Sequence, residues 1–411
     1  LQAFPSHRLP FYLTFAAVVA VLFANAAANV LVGAALAALL YRHFRHGDPL
    51  RFPPVKLPLG IFFALTVLAV AFSGHAREGW PGIRKFYLCL VLLLVASTFR
   101  TVRDVWSLVA ALAAGMAVSA ALSLWQFRRK YEMAAALHES FREYYTPQRI
   151  TGFTSHWMTL SGEEMIVLLL ITALLYFAAR RRGTGWIGAA AGVIALSLVL
   201  GWTRSMWMGA ALGLVYLTWL WRPRYLLLLP VAAAALLWAN PAGVGDRIRS
   251  IERPAGDLDS NRFRVVARRA GWEMIQAHPW LGLGPEQVRE QFKAYIPADE
   301  PRPLPTGAYI HLHNVYLQYA AERGLPALAA FLWWLGKMLT DFMRAARRTA
   351  RKDGDRRFVL HGAIAVMIAV MAAGWYEHNL GDGEILTLFC AVCGAGYVAV
   401  WGMDGRERDG T

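Results

Sequence analysis

His311, His313 and Asn314 stand together in a polar stretch, and nine residues separate Asn314 from Gly324. A neutral imidazole can take a proton from a hydroxyl near neutral pH, which is the work of a general base. Asparagine caps helix N-termini, so the spacing predicts a short helix over residues 315–322, a stop at Gly324, and Pro326 as the first residue of the next helix. His313 would then sit at the positive end of the short helix, where the imidazolium is disfavoured and the ring stays neutral. An interfacial histidine satisfied by hydrogen bonds, with no chemical task, fits the same pattern. His311 is expected to point elsewhere, which argues against a His-x-His metal site, and no metal is expected.

The elements that must position these residues are membrane helices. Apolar runs such as 165–179 and 187–201 recur between short arginine-rich connectors, and a bilayer span needs roughly 20 apolar residues. The expected fold is an all-α polytopic membrane protein with about twelve transmembrane helices. Residues 1–239 supply the first nine, with a basic segment near 128–156. Residues 240–325 form a large loop, and residues 326–411 hold the last three spans and a tail. No cleavable leader pattern is read, and residue 11 onward is taken as the first span. Cys89, Cys390 and Cys393 all fall inside apolar runs and read as small buried side chains, not as zinc or redox sites.

The net charge of +15 comes from cations between spans, not from a basic domain, which excludes nucleic acid as a partner. Every even connector is basic. Arg42 and Arg45, then Arg100 and Arg103, then Arg180, Arg181 and Arg182, then Arg222 and Arg224, and finally the run from Arg344 to Arg357 share one side. The enrichment of Lys and Arg in cytoplasmic loops places both termini in the cytoplasm. Arg77, Arg84 and Lys85 depart mildly from that parity. Two long outer segments depart more strongly: residues 128–155, with Arg142 and Arg149, and residues 240–311, with Arg247, Arg253, Arg264, Arg268 and Arg269 among others. Such arginines either line solvated faces beside lipid headgroups or converge on an anion, since a guanidinium binds phosphate oxygens through two parallel hydrogen bonds.

Within the large loop, Phe263, Val266, Ala267, Ala270, Met274 and Ala277 recur at helical spacing and predict an amphipathic helix able to lie on the membrane surface. Arg264 and Arg268 share a face of it, while Arg269, four from Glu273, reads as a surface ion pair. The helix ends near His278-Pro279, and Gly282-Leu283-Gly284-Pro285 makes a turn that lacks the strand a dinucleotide fingerprint needs. Arg204 lies in a tight connection between two apolar runs with tryptophans on both sides. It is either an anchor in an aromatic belt or a charge with a partner inside the bundle. Asp382 is the carboxylate preferred for orienting an arginine or binding a sugar hydroxyl, although a turn aspartate between two glycines fits equally.

His313-Asn314, nine residues, then Gly324 resembles the His-[Asn/Ser/Gln]-x9-Gly pattern of the O-antigen ligase and polymerase superfamily, with Ala327 at its final small position. Arg204-Ser205 after a span, Arg264 leading the loop helix, the stretch from Ile275 through His278-Pro279 to Gly282-Leu283-Gly284, and Arg149-x-x-Gly152-Phe153 are similar to further family elements. Arg268 stands where the family has an aromatic residue, a departure. The resemblance implies a bacterial inner-membrane protein resembling C-type glycosyltransferases, with its large late loop and active site in the periplasm. It further implies transfer of O-antigen from an undecaprenyl-diphosphate-linked donor to a lipid A-core acceptor, with inversion and without cofactor or metal. On that basis His313 is the base and Arg204 and Arg264 stabilise the departing diphosphate. Arg142, Arg149, Arg268, Asn314 and Asp382 contact substrates. A repeat-unit polymerase and a protein O-oligosaccharyltransferase remain open within the same chemistry. A secondary transporter, which also has about twelve spans, is disfavoured by the absence of an internal repeat and by the long loop.

Overall fold

Helix boundaries follow local capping chemistry. The Asp104 amide donates to Thr101 Oγ1 at 3.2 Å, and the Thr101 amide donates to the Asp104 carboxylate at 3.0 Å, a reciprocal cap that starts a helix at Val102. That helix continues to Ala136, past the apolar run that ends near residue 127. The computed structural model describes residues 8–179, 184–240, 243–249, 260–305 and 310–402. Arg180, Arg181, Arg182 and Arg253 lie outside the described residues.

The elements used below are α1 (Val102–Ala136), α2 (Trp157–Phe177), α3 (Gly185–Leu200), α4 (Arg204–Trp221), α5 (Ser260–Ala277), α6 (Val315–Arg348), α7 (Gly354–Ala373) and α8 (Gly383–Trp401). Among the described residues no strand occurs, and six helices are long and apolar enough to cross a membrane. They are Asn25–His46, Ala76–Thr98, α1, α2, α7 and α8. Leu9–Ala20, Lys56–Phe72 and α3 are shorter apolar helices. The chain is therefore a polytopic helical membrane protein. Helix α2 lies at its centre, buried along almost its whole length and packed against α1, α3, α4, α7 and α8. The three cysteines are free and buried.

Helix α5 differs from its expected setting. Its apolar side chains Val266, Ala267, Ala270 and Met274 pack with Leu283, Val288, Phe292, Leu312, Ala320 and Ala321 in a core separate from the membrane bundle. The apolar face is covered by protein, so it is not available to the membrane surface. Arg269 likewise finds its partners far along the chain. It reaches Asp299 at 2.7 Å and Glu300 at 2.6 Å, in place of Glu273 one helical turn away.

Helix α6 contains the predicted stop. Asn314 caps it, its Oδ1 accepting from the amides of Tyr316 and Leu317, both at 2.9 Å. Gly324 then breaks the helix with φ 80° and ψ 168°, a conformation open essentially to glycine alone. Pro326 has no N–H, so the Glu322 carbonyl loses its helical donor, and the Leu325 amide turns away to the Pro279 carbonyl at 2.8 Å. The turn at 282–284 supplies what is missing. The Leu283 amide donates to Ala321 O at 2.8 Å, and the Gly284 amide to Glu322 O at 2.9 Å. The backbones approach so closely that a Cβ on Gly282 would overlap the Glu322 backbone, and one on Gly324 the Trp280 carbonyl.

Gly324→Ala is expected to destabilise the protein by roughly 2 kcal/mol or more, from backbone strain together with the clash. Gly336→Ala, later on the same helix with open space around its Cβ, is expected to be neutral or slightly stabilising. Thermal unfolding of both variants in detergent checks the contrast, and equal melting temperatures would refute it.

Candidate active site

The turn that precedes α6 sets the site. His313 adopts φ 48°, a left-handed conformation uncommon outside glycine and found among other residues mostly in asparagine, aspartate and histidine. This reverses the chain sharply and overrides the alternation expected of residues two apart. The rings of His311 and His313 consequently lie together, with centroids 4.1 Å apart, instead of pointing to different sides. The start of α6 is tied to the end of α7 by three contacts to backbone carbonyls. The Val315 amide reaches Gly374 at 2.8 Å, Asn314 Nδ2 reaches Trp375 at 3.0 Å, and the Tyr316 hydroxyl reaches Met371 at 2.7 Å. Both ends of the Asn314 amide are thus engaged within the protein.

These ties bring His313 beside Glu377, in the connector that follows α7. His313 Nδ1 lies 3.3 Å from Glu377 Oε2, and Arg264 Nη2 from α5 donates to Oε1 at 2.5 Å. The Ser205 hydroxyl, in the first turn of α4, donates to the same oxygen at 3.5 Å. Glu377 is only 3% exposed. Burial pushes its carboxyl up, but Arg264, then His313 and His311, outweigh burial and hold it at about 2. It is therefore ionised at neutral pH, and the tautomer of His313 that carries its proton on Nδ1 donates to it and keeps Nε2 as an acceptor. The carboxylate, more than the helix end, fixes the tautomer.

Further arginines gather near Glu377. Arg204 opens α4 next to Ser205. Arg149 donates to the Trp202 carbonyl at 3.3 Å and to the Thr146 carbonyl at 3.2 Å, with its guanidinium 5.1 Å from the centre of the Trp157 ring. Arg247 reaches the same Trp202 carbonyl at 3.4 Å. Burial lowers Arg149 to about 10, while Tyr145 and Glu377 pull it up and Arg264 and Arg204 push it down. Arg149, Arg204, Arg264 and Glu377 thus share one electrostatic neighbourhood, in which Arg264 contacts the carboxylate directly. Such an excess of half-buried positive charge suits a phosphate or diphosphate.

A cavity of about 410 Å³ opens beside the cluster, with His156, Thr159, His311, Glu377, His378 and Asp382 among its walls. Burial, reinforced by His313, takes His311 down to about 4. Burial also depresses His156, and it takes His378 well below the usual histidine range. These three rings are neutral at neutral pH.

The remaining expected residues are placed less centrally. Among the described residues Asp382 pairs with no arginine. It caps α8, accepting from the Glu384 and Ile385 amides at 3.0 and 3.2 Å, and it takes a 2.5 Å hydrogen bond from the Thr159 hydroxyl. Arg268 is exposed one turn beyond Arg264, and Arg142 is half-buried in the short helix Phe141–Tyr145. Glu377, His378 and His156 were not singled out by sequence. Their only signal is that each is a polar residue at the end of an apolar run. Among the described residues no group of three or more His, Cys, Asp or Glu side chains is placed to hold a metal ion.

Fold and site together define a membrane protein whose helix ends and folded loop bring together an Arg–Glu–His cluster around the buried Glu377. Residues 189–332 match the family model described as O-antigen ligase. The match takes in Arg204, Arg264, His313, Asn314 and Gly324, while Arg149, Glu377 and Asp382 lie outside it. No curated protein matches the chain.

The Glu377 carboxyl sits at about 2 against an ordinary value of 4.5. A depressed carboxyl contributes stability that is complete above its unfolded value and lost as pH falls through the folded one. Wild type should melt higher than Glu377→Gln at neutral pH, and the gap should narrow only as pH drops from 4.5 toward 2. A gap independent of pH over that window would show that the charge of Glu377 carries no such stability.

Proposed function

We propose that this protein is an O-antigen ligase, moving O-antigen polysaccharide from undecaprenyl diphosphate to a sugar of lipid A-core on the periplasmic face of a bacterial inner membrane. In this reading the chain makes about twelve spans, both termini are cytoplasmic, and residues 240–325 form the periplasmic loop that carries α5. The observation that supports it most is the contact of His313 Nδ1 with the buried, ionised Glu377, itself held by Arg264 beside Arg149 and Arg204.

The chemistry follows from that arrangement. With Nδ1–H donated to Glu377, His313 Nε2 accepts the proton of an acceptor sugar hydroxyl as its oxygen attacks the anomeric carbon. The bond from that carbon to the diphosphate oxygen breaks, and its electron pair leaves with the diphosphate. Arg264, Arg204 and Arg149 are charged groups held in place before the reaction, and they stabilise the charge that develops there. The proton on His313 is afterwards released to the departing diphosphate or to solvent. One displacement inverts the anomeric centre. Glu377 acts through His313, holding its tautomer and stabilising the imidazolium, as the carboxylate does in a serine-protease triad.

His313→Ala should lower transfer by roughly 10² to 10⁴ while the protein still reaches the membrane, and near-normal ligation in a purified assay would remove its role. Arg264→Lys and Arg204→Lys should also slow turnover, since a point charge does not reproduce the guanidinium fork; unimpaired turnover would refute the leaving-group assignment. Deletion in the native host tests the acceptor. Loss of capped core with accumulation of lipid-linked polymer supports ligation, whereas core bearing one repeat unit would identify a polymerase.

A further inference from the structure

A second cavity, of about 720 Å³, lies where α4 and α6 end and α7 begins, away from the His313 site. Helix α4 begins at Arg204 and ends at Trp221, and α7 begins at Gly354 and runs back toward Glu377. Helices of 18 and 20 residues span about 27 to 30 Å, close to the hydrocarbon thickness of a bilayer. The second cavity is therefore about 27 to 30 Å from the first along these helix axes, a separation close to one bilayer thickness.

Its chemistry is two-sided. Arg347, Arg351 and Arg357 line it, and Trp221, Met343 and Ile364 contribute apolar wall. The Arg357 guanidinium lies 4.8 Å from the centre of the Phe177 ring, which fixes its position, and it feels the charge of Arg351. Trp221 stacks on Tyr176 at 4.2 Å and on Tyr225 at 5.4 Å, so that wall is stiff. Among the described residues none of the three arginines forms an ion pair. The nearby carboxylates Asp353 and Asp341 are engaged by Arg356 at 3.7 Å and Lys337 at 2.6 Å. Seven residues into α7, about 10 Å along its axis, His361 Nδ1 and the Tyr216 hydroxyl pair at 2.9 Å and give the cavity a polar point at depth.

We propose that this cavity is a binding site for an anionic phospholipid of the leaflet opposite the His313 site. Arg347, Arg351 and Arg357 hold its phosphate, and an acyl chain lies along Trp221, Met343 and Ile364. Basic pockets between membrane helices select anionic headgroups in this way. Orientation of the chain by positive charge alone does not account for the arrangement, because Arg344, Arg348 and Lys352 provide the same charge at this end without lining the cavity. The inference does not depend on the glycosyl-transfer reading.

The test uses the full-length protein in mild detergent, with native mass spectrometry and thermal unfolding after addition of phosphatidylglycerol, cardiolipin, phosphatidylcholine or inorganic phosphate. The anionic lipids should be retained and raise the melting temperature, and phosphatidylcholine should do neither. Each arginine changed to glutamine should weaken retention roughly fivefold, and Arg347→Gln/Arg351→Gln/Arg357→Gln together should abolish it. Arg344→Gln/Arg348→Gln should leave retention unchanged. Met343→Trp, which fills the cavity and keeps all three charges, should also exclude the lipid, so the proposal stays testable if the triple variant fails to fold. Unaltered retention by the triple variant or by Met343→Trp, equal loss in Arg344→Gln/Arg348→Gln, or equal stabilisation by phosphatidylcholine would overturn the site. Stabilisation by inorganic phosphate as strong as by lipid would overturn the lipid assignment.

Discussion

A carboxylate removed from water must be paired, because an isolated buried charge is penalised by several kcal/mol even after relaxation. Glu377 meets that requirement by drawing partners from three separate stretches of chain: Arg264 on α5, Ser205 at the start of α4, and His313 in the turn before α6. Each partner fixes the element that carries it. The loop helix, the re-entry of α4 and the histidine turn are thereby held in one arrangement, and the polar cavity lies beside it, with His311, Glu377 and Met206 among its walls.

The second constraint is made of backbone. The break at Gly324 strips carbonyls of their helical donors, and the 282–284 turn restores donors to them. Hydrogen bonding and the absence of two Cβ atoms thus attach the loop core to the membrane core at one junction. Helix α5 buries its apolar face in that same loop core, and this presents Arg264 toward Glu377 and leaves Arg268 in solvent.

What was legible in the sequence was local. The Asn314 cap, the Gly324 stop and Pro326 opening a second helix each depend on the chemistry of one or two neighbouring residues, and the apolar runs gave the helical membrane class. What escaped depended on tertiary contact. Nothing near Glu377 in the chain distinguishes it from Asp382, because the distinction comes from Arg264, 113 residues away. His311 was misdirected because a left-handed residue at His313 breaks the alternation on which the expectation rested. Arg269 prefers Asp299 and Glu300 because the loop folds back on α5, which a helical-spacing rule does not capture.

The three bonds that tie residues 314–316 to the carbonyls at 371, 374 and 375 have a further consequence. They splint His313 to the chain that leads into Glu377, so these two residues travel as one rigid unit even though 64 positions separate them in sequence. None of the splint comes from residues 285–305. Drift, insertion or recombination in that stretch would reshape the approach to the cavity while the histidine–glutamate unit stayed in register.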